Sequence, residues 1–165
     1  HTAPSGLAEG HLFTFSLSGR SLTKVASGLF GLMTLWSPDG SKFLSTLTDS
    51  FGKGLEFFVK DSAGKEVFAS ALPTLPDKCF WASPTEAYCA LALDLPSESV
   101  LPDDYLNGEI NTKDQIILLD VAKKQIFSVF VDPEFDISNL IVTKKQDRLF
   151  FVDRTDGTLW SLKLR

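Results

Sequence analysis

The side chains able to do chemistry in this sequence are few, and their spacing does not favour catalysis. The only histidines are His1 and His11, and a Ser-His-Asp arrangement needs a positioned base. His1 is terminal and expected to be disordered. His11 follows Gly10 at the start of a strand-like segment and reads as a satisfied surface residue. No G-x-S-x-G, P-loop, H-E-x-x-H or C-x-x-C motif occurs. Carboxylates are plentiful enough for a two-carboxylate glycosidase, but nothing in their spacing favours one. The expectation is a non-enzymatic protein with no catalytic residue, no metal site and no cofactor.

Cys79 and Cys89 are the only cysteines. They flank a turn centred on Pro84, so in a hairpin they sit opposite one another on the same face. Directly opposed Cβ atoms lie close to the spacing a disulfide requires. Two small buried thiols would fit the same places, and both readings stand at this level. A disulfide would imply an oxidising, extracytoplasmic compartment.

The elements that position these residues repeat. Trp36-Ser37-Pro38-Asp39-Gly40-Ser41-Lys42-Phe43-Leu44 is a strand end, a tight turn and a new strand. The same layout returns at Trp81–Cys89 and at Val142–Phe150. A second unit reads Gly54–Lys60, Asp114–Asp120 and Gly157–Lys163, with an earlier copy at Gly10–Ser16. Lettering the strands of one unit a to d, the chain reads c-d, a-b-c-d, a-b-c-d, a-b-c over residues 10–165. Residues 1–9 are left as a disordered N-terminal remnant. Four antiparallel strands recurring about every 45 residues are the signature of a β-propeller blade. The fold class is therefore all-β, a partial β-propeller of about three to three and a half four-stranded blades. A β-sandwich with many hairpins is the competing reading, and recurrence of the units in order favours the propeller.

Trp36-Ser37-Pro38-Asp39-Gly40-Ser41-Lys42 resembles the blade motif of the TolB and WD40-like propeller superfamily. The tail Leu149–Leu162, with Leu75-Pro76-Asp77-Lys78-Cys79-Phe80-Trp81 and Leu101-Pro102-Asp103-Asp104-Tyr105, resembles the C-terminal part of bacterial membrane-anchored propeller proteins that have no assigned activity. The Gly-His and Trp-Asp pairs of a true WD40 repeat are absent. The resemblance implies an extracytoplasmic, cell-envelope location, with tethering through an N-terminal anchor absent from this chain.

Composition agrees with a folded domain. The chain has 165 residues, 44% hydrophobic and 22% charged, with a net charge of −5, which excludes disorder and a basic nucleic-acid binder. No apolar run reaches the length of a membrane span. Because it begins at His1 and holds too few strands for a closed ring, the chain is expected to be a piece of something longer or an open arc. An open arc exposes blade edges, so self-association through them, or a protein partner, is expected. Neither nucleic acid nor membrane contact is.

In a propeller the b–c and d–a loops share one face. Those loops carry thirteen acids and four bases, a net of −9, while the rest of the chain carries eight acids and twelve bases, a net of +4. Such a face attracts cationic partners. The insertion at 94–114 is long for a compact domain and reads as an ordered lid. Asp103, Asp104 and Tyr105 on it, with Phe51 and Phe135 on neighbouring loops, are the candidate binding residues of an acidic, aromatic contact surface. Asp153-Arg154-Thr155-Asp156-Gly157 resembles a calcium loop but lacks the further ligand positions and closing Glu, so a tight turn explains it better. The alternative function is a ligand-binding or hydrolytic domain, sugar-directed or calcium-dependent, with its site in the central funnel.

Overall fold

Asp39 shows why the chain reverses where it does. The Ser37 hydroxyl donates to its Oδ1 at 2.7 Å, and the Ser41 hydroxyl and amide donate to the same oxygen at 2.9 and 3.1 Å. These bonds, Ser37's foremost, hold the carboxyl at about 2. Gly40 takes the positive φ of 68° that closes the turn. The device recurs: Asp61 Oδ1 accepts from the Ala63 and Lys65 amides, and Asp49 Oδ1 from those of Phe51 and Lys53. Aspartates therefore cap several of the turns through their own side chains.

The computed structural model describes residues 2–132 and 134–164. Strands β1 (Gly10–Ser16) and β2 (Ser21–Leu29) form a two-stranded sheet. Four-stranded sheets follow from β3 (Met33–Trp36), β4 (Lys42–Leu47), β5 (Glu56–Asp61) and β6 (Glu66–Ser70), and from β7 (Cys79–Ser83), β8 (Glu86–Ala92), β9 (Asp114–Asp120) and β10 (Gln125–Val131). The last sheet holds β11 (Ile137–Val142), β12 (Arg148–Asp153) and β13 (Leu159–Lys163). Every pairing is antiparallel and in chain order. The described residues thus form an all-β partial propeller whose sheets run c-d, a-b-c-d, a-b-c-d, a-b-c. No helix among them is long and apolar enough to cross a membrane.

Residue parity explains how the blades join. On β4, Phe43 packs toward the first blade and its neighbour Leu44 toward the third. On β8 and β9, Ala87, Cys89, Ile117 and Leu119 face the second blade, while Tyr88, Ala90 and Ile116 face the fourth. β8 and β9, covered on both sides, carry near-continuous apolar runs, as buried strands do. The first and fourth blades are covered on one side only. On β1, Leu12 is buried, while Phe13 and Phe15 on the alternate side are exposed. On β12, Leu149 and Phe151 are buried, while the opposite side presents exposed Ile141 and Leu159 from the flanking strands.

The N-terminal segment differs from expectation. Residues 2–9 are tied down, because the Ser5 hydroxyl and Gly6 amide both donate to the Asp103 carboxylate, at 2.8 and 2.6 Å. Gly6 lies so tightly against Leu101 O and Gly52 Cα that a side chain there would collide with backbone. His1, expected to be disordered, lies outside the described residues, as do Pro133 and Arg165.

Cys79 and Cys89 are directly paired in the β7–β8 register and joined as a disulfide, with Cα atoms 4.1 Å apart. The bond sits inside the core between the second and third blades. Thiol titration of the denatured, unreduced protein is expected to find no free thiol. Replacing both cysteines by alanine should cost about 2–4 kcal/mol in urea unfolding.

Candidate functional site

A buried cation organises the loop face. Lys78 ends a single 3-10 turn, Pro76–Lys78, and leads into β7. Its side chain is 2% exposed, and Nζ lies 2.6 Å from Asp114 Oδ2 and 2.9 Å from Asp136 Oδ1, two carboxylates fully out of solvent. Nζ also donates to the Thr112 hydroxyl at 2.5 Å and stands 4.6 Å from the centre of the Tyr105 ring. Arg154, from the β12–β13 turn, lies 4.1 Å from the centre of the same ring and 3.7 Å from Asp136 Oδ2. Two cations and two carboxylates leave the cluster neutral, as burial requires.

The remaining bonds fix its members. Asp114 Oδ2 accepts from the Ile137 amide at 2.6 Å, and Asp136 Oδ1 accepts from the Thr112 and Tyr105 hydroxyls at 3.0 and 3.3 Å. Asp114 Oδ1 has no hydrogen-bond partner among the described residues. Burial alone pulls the Lys78 ammonium down, but Asp114, Tyr105 and Asp136 together reverse this and push it above the ordinary lysine value. Burial raises Asp114 and Tyr105 as well, in both cases outweighing the lowering by Lys78. The cluster is committed to itself, and its role is to position the loops that contribute to it.

The residues expected to form a contact surface lie elsewhere in the architecture. Asp103 and Asp104 stand in the short helix α1 (Asp103–Leu106). Asp103 holds the N-terminal segment, and Asp104 Oδ2 accepts from the Val100 amide at 2.7 Å. Tyr105 is 5% exposed, clamped between Lys78 and Arg154. Phe135 packs against Phe130, Phe151 and Trp160. Phe51 alone of the five is largely exposed, at 71%. The lid at 94–114 is ordered, but Tyr105 points inward and Asp103 and Asp104 serve the fold, so these five do not make one surface. Asp153 and Asp156 accept from amides within the β12–β13 turn, and no group of metal-ligating residues is found among the described residues.

What does remain open is a groove at the inner edges of the blades. Strands β3, β7 and β11 are the first strand of their sheets. Leu35 of β3, Pro76 and Asp77 of the 3-10 turn, Cys79 of β7, and Asn139, Leu140 and Ile141 of β11 line a shallow, open stretch of the groove of about 350 Å³. An adjoining lobe of about 310 Å³ is lined by Asp77, Asn139, Ser138, Tyr105, Leu106 and Arg154. Asp77 and Asn139 belong to both lobes. Asn139 occupies a break in the β11–β12 register and has a φ of 49°, the left-handed region that Asn tolerates better than most residues. Asp77 is open to solvent on one side, and the protein around it raises its carboxyl by desolvation. Neither side chain makes a hydrogen bond or ion pair to the described residues, as far as Asp77's carboxylate and Asn139's amide are concerned. Spacing in the sequence carried no sign of this pairing.

No family model matches the sequence, and no curated protein does. Solved structures do match. Hydrazine synthase from Kuenenia stuttgartiensis superposes with a TM-score of 0.65 at 13% identity, covering 97% of this chain and 48% of that one. The tricorn protease superposes at 0.52 and 10% identity, covering 93% of this chain and 18% of its own. TolB from Acinetobacter baumannii gives 0.49 at 15% identity, over 90% and 36% of the two chains. The likeness is one of fold, and this chain spans about half the length of the hydrazine synthase chain it matches.

Removing Lys78 leaves Asp114 and Asp136 buried with Arg154 alone, so Lys78→Met should lower unfolding free energy by about 3–5 kcal/mol. Both Lys78 and Tyr105 keep their protons in the folded state above their ordinary values. Through these two groups the folded chain holds more protons than the unfolded chain as pH rises past about 10. Their contribution to stability therefore falls with increasing pH in that range, while Lys60, lowered by burial, acts in the opposite direction. Urea midpoints measured between neutral and strongly alkaline pH should show that fall, and a shallower one in Lys78→Met.

Proposed function

We propose that this chain is a non-enzymatic β-propeller module that works by binding protein, at the bacterial cell envelope. The observation that carries this reading is the pair of one-sided terminal blades. Phe13, Phe15 and Leu22 are exposed on the first, and Ile141 and Leu159 on the fourth. Inner blades of the same chain bury the equivalent positions against a neighbour. Large apolar side chains gathered on one face mark an interaction surface, and a second blade is the shape that fits a blade. In the isolated chain the occupant is a second copy, the fourth blade of one meeting the first blade of the other. Two such contacts close a ring around a two-fold axis.

The envelope assignment is supported by the Cys79–Cys89 disulfide, since such bonds persist in oxidising compartments. It is supported also by the resemblance of the sequence to membrane-anchored propeller proteins. A ligand-binding role for the funnel is the second reading, favoured by the groove around Asp77.

Sedimentation velocity over a concentration series is expected to show a reversible dimer. Phe15→Glu with Leu159→Glu should return the chain to a monomer while leaving its thermal midpoint close to wild type, because both sites are exposed. A wild-type chain that stays monomeric at the highest concentration would contradict the reading.

A further inference from the structure

We propose that the groove around Asp77 receives a primary ammonium group on an aliphatic stem, the side chain of a lysine presented by a partner protein. The inference rests on the interaction-module reading and gives that module a specific contact. Some polar groups in the groove are already committed. Arg154 donates to Tyr105 O and Ile110 O and pairs with Asp136, so its guanidinium belongs to the loop cluster. Ser138 donates its hydroxyl proton to Val152 O at 3.2 Å, which leaves its oxygen as an acceptor. Asp77 is an acceptor only, and Asn139 offers an amide oxygen beside its NH₂.

The groups left over are thus rich in acceptors and carry one negative charge. An anion is disfavoured there, and a neutral ligand would leave the Asp77 carboxylate without a counter-charge. The walls add a second requirement. Leu35, Pro76, Leu140 and Ile141 line the lobe next to Asp77, and they suit a hydrocarbon stem better than a compact polar ion. A lysine satisfies both conditions, covering apolar surface with its methylenes while its ammonium reaches the carboxylate. A carboxylate already deprived of part of its hydration gains from an incoming cation.

Asn139 strengthens the assignment independently. It stands in the left-handed region inside a strand, where the register breaks, and its side chain is exposed at the meeting point of both lobes. Backbone held in a sparsely populated conformation collects at binding sites. The loop acids that cap turns are not part of the groove, so the contact is local rather than a property of the whole acidic face.

Calorimetric titration of the full chain tests this with a hexalysine peptide as probe, at physiological ionic strength, where charges beyond about 8 Å are screened. Asp77→Asn is expected to weaken binding about tenfold. Glu109→Gln, an exposed acid on the same loop face, should change it little. Asn139→Asp retains a residue tolerant of the left-handed region, adds a second carboxylate and is expected to tighten binding. A peptide of Nε-acetylated lysines should bind the wild type no better than hexalysine binds Asp77→Asn. Equal losses in Asp77→Asn and Glu109→Gln, or equal binding of the acetylated peptide, would overturn the proposal. Dimerisation in sedimentation is read separately. If it persists while lysine binding fails, only the groove's occupant is wrong; if dimerisation fails while Asp77-dependent binding holds, the blade-face contact is wrong and the groove stands.

Discussion

An ammonium group removed from water must be repaid by charge and hydrogen bonds close at hand, and Lys78 obtains both from three distant stretches of chain. Asp114 opens β9, Asp136 precedes β11, and Thr112 and Tyr105 come from the long lid. Arg154 brings in the β12–β13 turn. One buried cation therefore sets the relative positions of the 3-10 turn, the lid and the loops entering the fourth blade. The arrangement matters because successive blades share no strand ladder. Their joins are side-chain contacts between sheets, supplemented by cross-blade polar ties such as Trp81 Nε1 to Leu35 O at 3.0 Å. A non-directional apolar join permits sliding, whereas hydrogen-bonded charges at fixed distances do not.

Positioning at the centre and exposure at the ends are two results of the same construction. The inner strands converge near the Lys78 cluster, and Asp77, its chain neighbour, is thereby held at the edge of the groove while Lys78 is held beneath it. Adjacent residues in this turn point to opposite fates, one fully buried and the other open. At the periphery, the alternation that buries Leu12 and Leu149 obliges Phe15 and Ile141 to face outward. A blade has two faces, and nothing in a strand's pleat can hide both without a neighbour.

The local parts of this structure were readable in the sequence because their causes are local. Pro38-Asp39-Gly40 announces its turn through fixed and permissive φ values, and the ten-residue spacing of Cys79 and Cys89 around Pro84 follows from hairpin register. Repetition of the units gave the order of strands. The lid was visible as an insertion, but its residue types do not reveal which way they point. Tyr105 looked like an exposed recognition aromatic and is instead the ring between two cations. Asp103 and Asp104 looked like free negative charge and are hydrogen-bond acceptors for Gly6 and Val100 amides. The ion pair of Lys78 and Asp114 joins residues far apart in sequence, and such a pair leaves no periodic trace. Asp77 and Asn139 meet only because the inner edges of two blades do, and a linear reading has no means of bringing them together.

A loop face fixed by Lys78 requires a cluster as firmly closed as the blades it connects. Native-state hydrogen exchange of the Ile137 and Thr112 amides, which donate to Asp114 and Asp136, measures this most directly. Both amides should exchange as slowly as those of β8 and β9 in the central blade, and in Lys78→Met both should shift to fast local opening while the β8–β9 amides stay comparatively protected. Exchange of Ile137 and Thr112 in the wild type at the rate of exposed turn amides would contradict the claim that this buried cation fixes the loop face.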